Sequence, residues 1–252
     1  MSVEPVPGEP AAVADCAGER ALVVADYHAG IEVGLRREGV ELASQADERI
    51  ASLLEILDRT DPDRLVVLGD LGHAIGDPWY RERDELADLL KVVRERVPVT
   101  LVKGNHDGDV EALFADLGVD ATVTPTRGTR IGDVGFAHGH TWPSPAVLEA
   151  DVVCVGHEHP EVRLEDEVGG RRIERVWLRG ALDPAPFREH LGRPELAIDG
   201  ELVVFPAFNP LSGGTWVNVP GQEFLSPFLP DGLADGEAYL LDGTRLGHFR
   251  DV

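Results

Sequence analysis

The stretch Val99-Thr100-Leu101-Val102-Lys103-Gly104-Asn105-His106-Asp107-Gly108 decides how the chain is read. Pro98 opens a β-branched apolar run whose length and composition predict a short buried strand. The run stops at Lys103-Gly104, and three polar side chains, Asn105, His106 and Asp107, follow without a gap. Glycines on either side let the backbone turn sharply and approach a ligand. Polar groups at the end of a buried strand are costly unless they have partners, and open α/β sheets bind ligands at the carboxyl ends of their strands.

The same design recurs four times. Ala21 to Ala25 runs into Asp26-Tyr27-His28, and Leu65 to Leu68 runs into Gly69-Asp70, with His73 close behind. Val134 to Ala137 runs into His138-Gly139-His140, and Val152 to Val155 runs into Gly156-His157-Glu158-His159. Seven of the 9 histidines fall in these places. A donor set of carboxylate, amide and imidazole without thiolate suits borderline to hard divalent ions and disfavours a Cys-rich structural zinc. Read as strand ends, Asp26 and His28 should share a face, as should His157 and His159, because residues two apart in a strand point alike.

The ordered motifs DYH (26–28), GD (69–70), GNHD (104–107), H (138) and GHEH (156–159) resemble those of the calcineurin-like metallophosphoesterases. RREGVEL (36–42), GHEHPEV (156–162), VWLRGALD (176–183) and FNPLSGG (208–214) are similar to the archaeal ICC-like phosphoesterases. Those are relatives of the DNA-ligase-associated phosphoesterases and, more distantly, of the double-strand-break nuclease subunits. The resemblance implies an α/β fold, a four-layer sandwich of two mixed β-sheets flanked by helices. It also implies two divalent ions, manganese first and iron or zinc next. Asp26, His28 and His159 would hold one ion, Asn105, His138 and His157 the other, and Asp70 both. A hydroxide bridging two such ions would attack phosphorus in line.

By the same resemblance His106 stabilises the transition state and protonates the leaving oxygen, with Asp107 orienting it. His73, three residues after Asp70, matches the nuclease side of the superfamily; the protein phosphatases carry an Asp at that offset. A second imidazole helps most with a poorly acidic leaving alkoxide. His140, beside His138, reads as a supporting residue. Arg36, Arg37 and Lys103 read as a solvated face or as phosphate grips. Trp79, Tyr80 and Trp142 read as packing or as base-stacking residues. The NPLSGG cluster from Asn209 to Gly214 reads as a turn, and His190 and His248 as surface residues.

The implied activity is a dinuclear-metal phosphodiesterase acting on nucleic acid or nucleotides, with phosphoester substrates and DNA-repair proteins as partners. Two other readings stay open, a phosphomonoesterase on a small metabolite and a non-catalytic metal-binding scaffold.

The bulk numbers bound the rest. A chain of 252 residues without repeats, linkers or low-complexity blocks is expected to form a single domain over 1–252. Two distant cysteines, Cys16 and Cys154, imply no disulfide framework. The N-terminus MSVEPVPGEP lacks the basic and apolar regions of a signal peptide, and no apolar run approaches the ~18 residues that span a bilayer. A cytoplasmic protein with no membrane partner is expected. The formal net charge is −23, and Lys91 and Lys103 are the only lysines. Nucleic-acid proteins usually carry a basic patch. An acidic, lysine-poor composition, however, resembles that of proteins from salt-accumulating organisms, where molar salt cuts the Debye length to ~3 Å. Read as halophilic, the charge does not exclude nucleic acid.

Periodicity predicts strands and helices in alternation as far as Leu117. Helices are expected from a Ser44 cap to Asp61-Pro62, with a stripe of Ile50, Leu53, Leu54 and Leu57, and over 82–96, burying Leu86, Leu89, Leu90 and Val93. Beyond Leu117 the pattern is strand-rich, with helical turns only at 145–149 and 184–191. Alternation followed by strands predicts an α/β core joined to a second sheet.

Overall fold

The computed structural model describes residues 2–76, 80–166 and 169–252. The first sheet takes β1 (Val3–Pro5), β2 (Ala11–Asp15), β3 (Arg20–Val24), β4 (Arg64–Val67), β5 (Val99–Val102) and β6 (Ala121–Thr124) in sequence order. The first three strands pair antiparallel, and β3 to β6 run parallel. Parallel neighbours need a crossover. Here the crossovers are α1 (Ile31–Arg37) with α2 (Ala46–Thr60), then α3 (Tyr80–Val93), then α4 (Val110–Leu117).

The second sheet is built from β7 (Thr129–Ile131), β8 (Val134–Ala137), β9 (Val152–Val155), β10 (Pro160–Glu165), β11 (Arg171–Leu182), β12 (Glu201–Val204), β13 (Thr215–Trp216), β14 (Leu233–Leu240) and β15 (Arg245–His248). Its order is β13-β10-β11-β12-β9-β8-β7, with β14 also on β11 and β15 on β14. Here β8, β9 and β12 are the parallel core. Helices α5 (Pro145–Leu148) and α6 (Pro184–Leu191) belong to this half.

Alternation within each strand sorts the core into three layers. From β3, Leu22 and Val24 pack outward with Leu53, Ile56 and Leu57 of α2 and Leu86, Leu89 and Leu90 of α3. Ala21 and Val23 point inward, into a layer shared with Phe136, Cys154, Trp177 and Phe205 of the second sheet. The far face of that sheet, including Val153, Val155 and Leu178, packs on Val147, Leu148 and Phe187 of α5 and α6. Helices, sheet, sheet and helices thus form the four layers expected from sequence. In the middle layer Ala12, Ala14, Ala21 and Ala25 face the bulky rings, so the sheets approach closely. Truncating fully buried Phe136 to Ala there would cost about 3–5 kcal/mol.

Several expectations need adjusting. The buried stripe of α2 is Arg49, Leu53, Ile56 and Leu57, whereas Ile50 and Leu54 are half-buried. The helical turn at 184–191 is a full helix capped by Asp183, whose carboxylate accepts the Ala185 amide at 2.9 Å. Strand β14 begins at Leu233 and passes through Asp235-Gly236. That dipeptide reads as a turn, yet it sits where the register between β11 and β14 shifts, so it marks a bulge. Both cysteines are buried and unpaired.

Candidate functional site

The ends of β3, β4 and β5 and those of β8 and β9 meet along one seam between the sheets, and every motif of the sequence lies on it. The chain turns abruptly as each strand ends. Asp26, His28, Asp70, His157 and His159 all have φ between 45° and 68°. Non-glycine residues in this left-handed region cost of order 1–3 kcal/mol each and cluster where function holds them there. The expected two-residue strand alternation therefore does not align Asp26 with His28, nor His157 with His159. Left-handed turns bring them to the seam instead. Gly104 is required for a different reason: a Cβ there would collide with the Asp70 carboxylate and amide.

Among the described residues two groups of donors that include a carboxylate form, beside an all-imidazole set of His28, His73 and His106. Asp26, His28 and His159 each bring one ligand atom within 4.8 Å of the others, and so do Asp70, His138 and His157. Asn105 joins the second, its Oδ1 lying 3.0 Å from His138 Nε2. Asp70 Oδ2 stands between the groups, 3.4 Å from His138 Nε2 and 3.9 Å from His28 Nε2. All except His157 and His159, which are partly open, and Asn105, which is exposed, are buried.

Ring orientation tests whether a cation fits. His138 Nδ1 donates to the Leu68 carbonyl at 2.7 Å, and His159 Nδ1 donates to the Gly213 carbonyl at 2.9 Å. Carbonyls only accept, so each neutral ring turns an Nε2 lone pair toward carboxylate oxygens, Asp70 at 3.4 Å and Asp26 at 3.3 Å. Lone pairs facing each other in a buried site call for a proton or a metal ion between them. Such carbonyl-pinned imidazoles are how metal-binding histidines are held. The buried Nδ1 of His28 has no hydrogen-bond partner among the described residues. Electrostatics agree. Burial alone would lower the pKa of His138, but the Asp70 and Asp26 carboxylates outweigh it and push it up to about 9. Burial would raise the pKa of Asp70, and the surrounding imidazoles, His138 first, hold it well below the carboxylate range. Burial depresses His28 to about 3 and His157 to about 4, keeping both rings neutral and able to ligate. These residues fit a pair of divalent ions.

Beside the first group stand His73 and His106, stacked with ring centroids 5.6 Å apart. His106 Nδ1 donates to the His73 carbonyl at 2.5 Å, leaving Nε2 on the seam, 3.9 Å from Asp70 Oδ2. Asp107 was expected to orient His106, but its carboxylate holds other groups. It accepts the amides of Asp70 at 2.8 Å, Leu71 at 2.9 Å and Gly104 at 2.7 Å. Asp107 thus fixes the turn that presents Asp70, and the His73 carbonyl orients His106. Burial, followed by the nearby Asp70 charge, raises Asp107 to about 6. His140 packs on His138 and His157, with ring centroids 5.1 Å and 6.0 Å away.

Two supports of the site escaped the sequence reading. Glu82 on α3 accepts the amides of His73 at 2.8 Å and Ala74 at 3.1 Å. A Cβ on Gly72 would lie 2.5 Å from that carboxylate, so a glycine there leaves the room that Glu82 occupies. One turn on, Glu85 accepts the Gly30 amide at 2.8 Å. It also shares Arg49 with Glu32 in a buried cluster, with Arg49 Nη2–Glu85 at 2.7 Å and Arg49 Nη1–Glu32 at 2.8 Å. Glu82 and Glu85 fall on the apolar stripe of α3, and Arg49 on that of α2, which is the signal that could have revealed them.

The remaining candidates are dispersed. Arg36 is exposed and donates to the Leu42 carbonyl, and Lys103 is paired with Glu111 at 2.9 Å. Trp142 packs on Phe187 and Phe228 and stacks with His190, which is exposed as expected. His248 stacks on Phe249. Tyr80 is 80 % exposed, and Trp79 lies outside the described residues. Among the described residues no helix is long and apolar enough to cross a membrane.

Comparison with known proteins places this geometry. Serine/threonine-protein phosphatase CPPED1 of Bos taurus is 40% identical over 70 residues, 27% of this chain and 21% of that protein. The Mus musculus protein is 39% identical over 70 residues. The chain therefore spans about a fifth of the length of these curated relatives. Among solved structures, Pseudomonas putida nuclease MPE superimposes with a TM-score of 0.58 at 22% identity, covering 97% of this chain and 100% of that one. That likeness is one of fold. The profile of the calcineurin-like phosphoesterases matches residues 19–145. Its span runs from the start of β3 to α5 and takes in all but the last of the five motifs, so the chain belongs to the calcineurin-like phosphoesterase family.

Proposed function

We propose that the chain is a dinuclear-metal phosphodiesterase acting on nucleic acid or nucleotides. The observation that carries this is the pair of three-residue donor groups, one of Asp26, His28 and His159 and the other of Asp70, His138 and His157, with two stacked imidazoles next to them. Asp26, His28 and His159 would hold one ion, Asn105, His138 and His157 the other, and Asp70 would reach both. Divalent ions bound there supply Lewis acidity, lowering the pKa of a water and neutralising phosphoryl oxygens. The thiolate-free donors favour manganese, iron or zinc, and manganese is preferred on the sequence resemblance.

The protein's own part is to position groups and move a proton. His106 keeps its Nδ1 proton on the His73 carbonyl, so Nε2 is the atom that exchanges a proton with the leaving oxygen. Stacking on His73 fixes the ring plane and places a second imidazole within reach of the same oxygen. A diester leaving as a sugar alkoxide needs that proton more than an aryl leaving group does. Lys103 is engaged by Glu111, so phosphate binding rests mainly on the bound ions. The whole-length likeness to a nuclease supports the nucleic-acid reading, and a DNA-repair setting follows from the sequence resemblance.

The test is metal-dependent hydrolysis of bis-p-nitrophenyl phosphate against p-nitrophenyl phosphate, after chelation and readdition of manganese, iron or zinc. Faster diester hydrolysis is expected, strongest with manganese. Preference for the monoester would establish the phosphomonoesterase reading, and ion binding without turnover the scaffold reading.

A further inference from the structure

The segment Phe208 to Thr215 follows the second-sheet strand β12 but reaches across the seam to the first sheet. Phe208 donates its amide to the Ala25 carbonyl at 2.8 Å and stacks on Tyr27, with ring centroids 5.6 Å apart. Asn209, 1% exposed, donates its amide to the Asp26 carbonyl at 3.3 Å. Its side-chain Nδ2 donates to the carbonyls of Tyr27 at 3.0 Å and His28 at 3.2 Å. Asn209 is itself held, since its Oδ1 accepts the Leu211 amide at 3.0 Å and its carbonyl accepts the Ser212 hydroxyl at 2.6 Å. Four residues on, the Gly213 carbonyl takes the His159 Nδ1 proton, and the Thr215 amide donates to the Glu158 carbonyl at 3.3 Å.

These contacts fall on the loops that carry Asp26, His28 and His159, the last of which also carries His157. The second donor group has other supports: the Leu68 carbonyl on His138 and the Asp107 carboxylate beneath Asp70. The two halves of the site thus have different outer braces, and they are joined where the Asp26 carboxylate accepts the His157 amide at 3.0 Å.

We infer that Asn209 is a positioning residue that sets the affinity of one ion site, that of Asp26, His28 and His159, far more than that of the other. An amide fits the task, because two convergent carbonyls need two N–H donors and Leu211 needs an acceptor. Partners behind metal ligands typically govern 10–100-fold in affinity. The inference rests on the two-ion reading above.

The test is calorimetric titration of the chelated protein with manganese, followed by elemental analysis. Wild type should bind two ions; one or none would overturn the two-ion reading itself. Asn209→Ala should weaken one binding step by about tenfold or more and leave the other within about twofold. In a His138→Ala background the remaining step should fall by the same factor. In a His159→Ala background Asn209→Ala should change little. Ser212→Ala, which only loosens Asn209, should shift the same step less. Melting of each variant in chelator serves as the folding control, and Ser212→Ala carries the test if Asn209→Ala fails it. Two ions bound by wild type, with both steps weakened equally or neither changed, would overturn the inference and leave the two-ion reading standing.

Discussion

Two buried charged clusters lie on opposite sides of the Asp26–Gly30 loop, and they are built on opposite principles. Behind the loop, Glu32, Glu85 and Arg49 close on themselves: the guanidinium meets both carboxylates, and the amides of Gln45 and Gly30 complete the set. In front of it, Asp26 and Asp70 face imidazole nitrogens rather than N–H donors of fixed charge. The first cluster has its cation built in, on a helix. The second has a cation's worth of missing charge. A buried carboxylate is uninformative until its partners are counted, and it is the incompleteness of a set that marks a site.

Changes on either side should break this contrast differently. The largest effect is expected from Asp70→Asn, which removes the charge shared by both donor groups. Diester turnover should fall by about three orders of magnitude or more, with ion binding weakened in calorimetry. Near-wild-type turnover with a metal-free variant would defeat the dinuclear mechanism. Arg49→Met attacks the closed cluster, leaving two buried carboxylates uncompensated. It should cost about 3–5 kcal/mol in urea unfolding, and adding Glu32→Gln and Glu85→Gln should recover much of that loss. A cost below about 1 kcal/mol would show that Arg49 behaves like a surface ion pair.

A finer test separates the stacked histidines from the ligands. His73→Ala should keep its metal and retain most activity on an activated aryl diester. It should lose on the order of 10²-fold on an unactivated nucleotide diester. Equal losses on both substrates would reduce His73 to a support for His106. The smallest effect concerns neither cluster. With a net charge of −23, screening of self-repulsion across the surface should raise the melting temperature by several degrees from low to molar KCl. The buried clusters should hardly respond. A flat melting curve would remove the halophilic reading of the composition.

Much of this was legible in the sequence, for a definite reason. Parallel strands are apolar throughout, so Val99–Val102 or Val152–Val155 stand out as runs, and polar residues at their ends stand out against them. The gathering of Asp26, His28, Asp70, Asn105, His138, His157 and His159 follows once those ends share a seam. What stayed hidden depends on residues meeting across long separations. Arg49 and Glu85 read singly as solvated helix charges, and Asn209 as one residue of a turn. The role of Asp107 was misjudged because adjacency to His106 suggested contact, whereas the tight turn points its carboxylate back at three amides. Short strands such as Thr215–Trp216 carry too few residues for any period to show.

The division of the site between two sheets also orders events on the ribosome. As the chain emerges, Asp26, His28, Asp70 and Asn105 are all present while the second sheet is still unmade. Neither donor group is complete until His157 and His159 have left the exit tunnel, and the Asn209 brace follows some fifty residues later. Ions held by these groups would therefore be acquired late in the biogenesis of this protein, and a nascent chain stalled before that point would expose carboxylates and imidazoles to whatever ions the compartment holds.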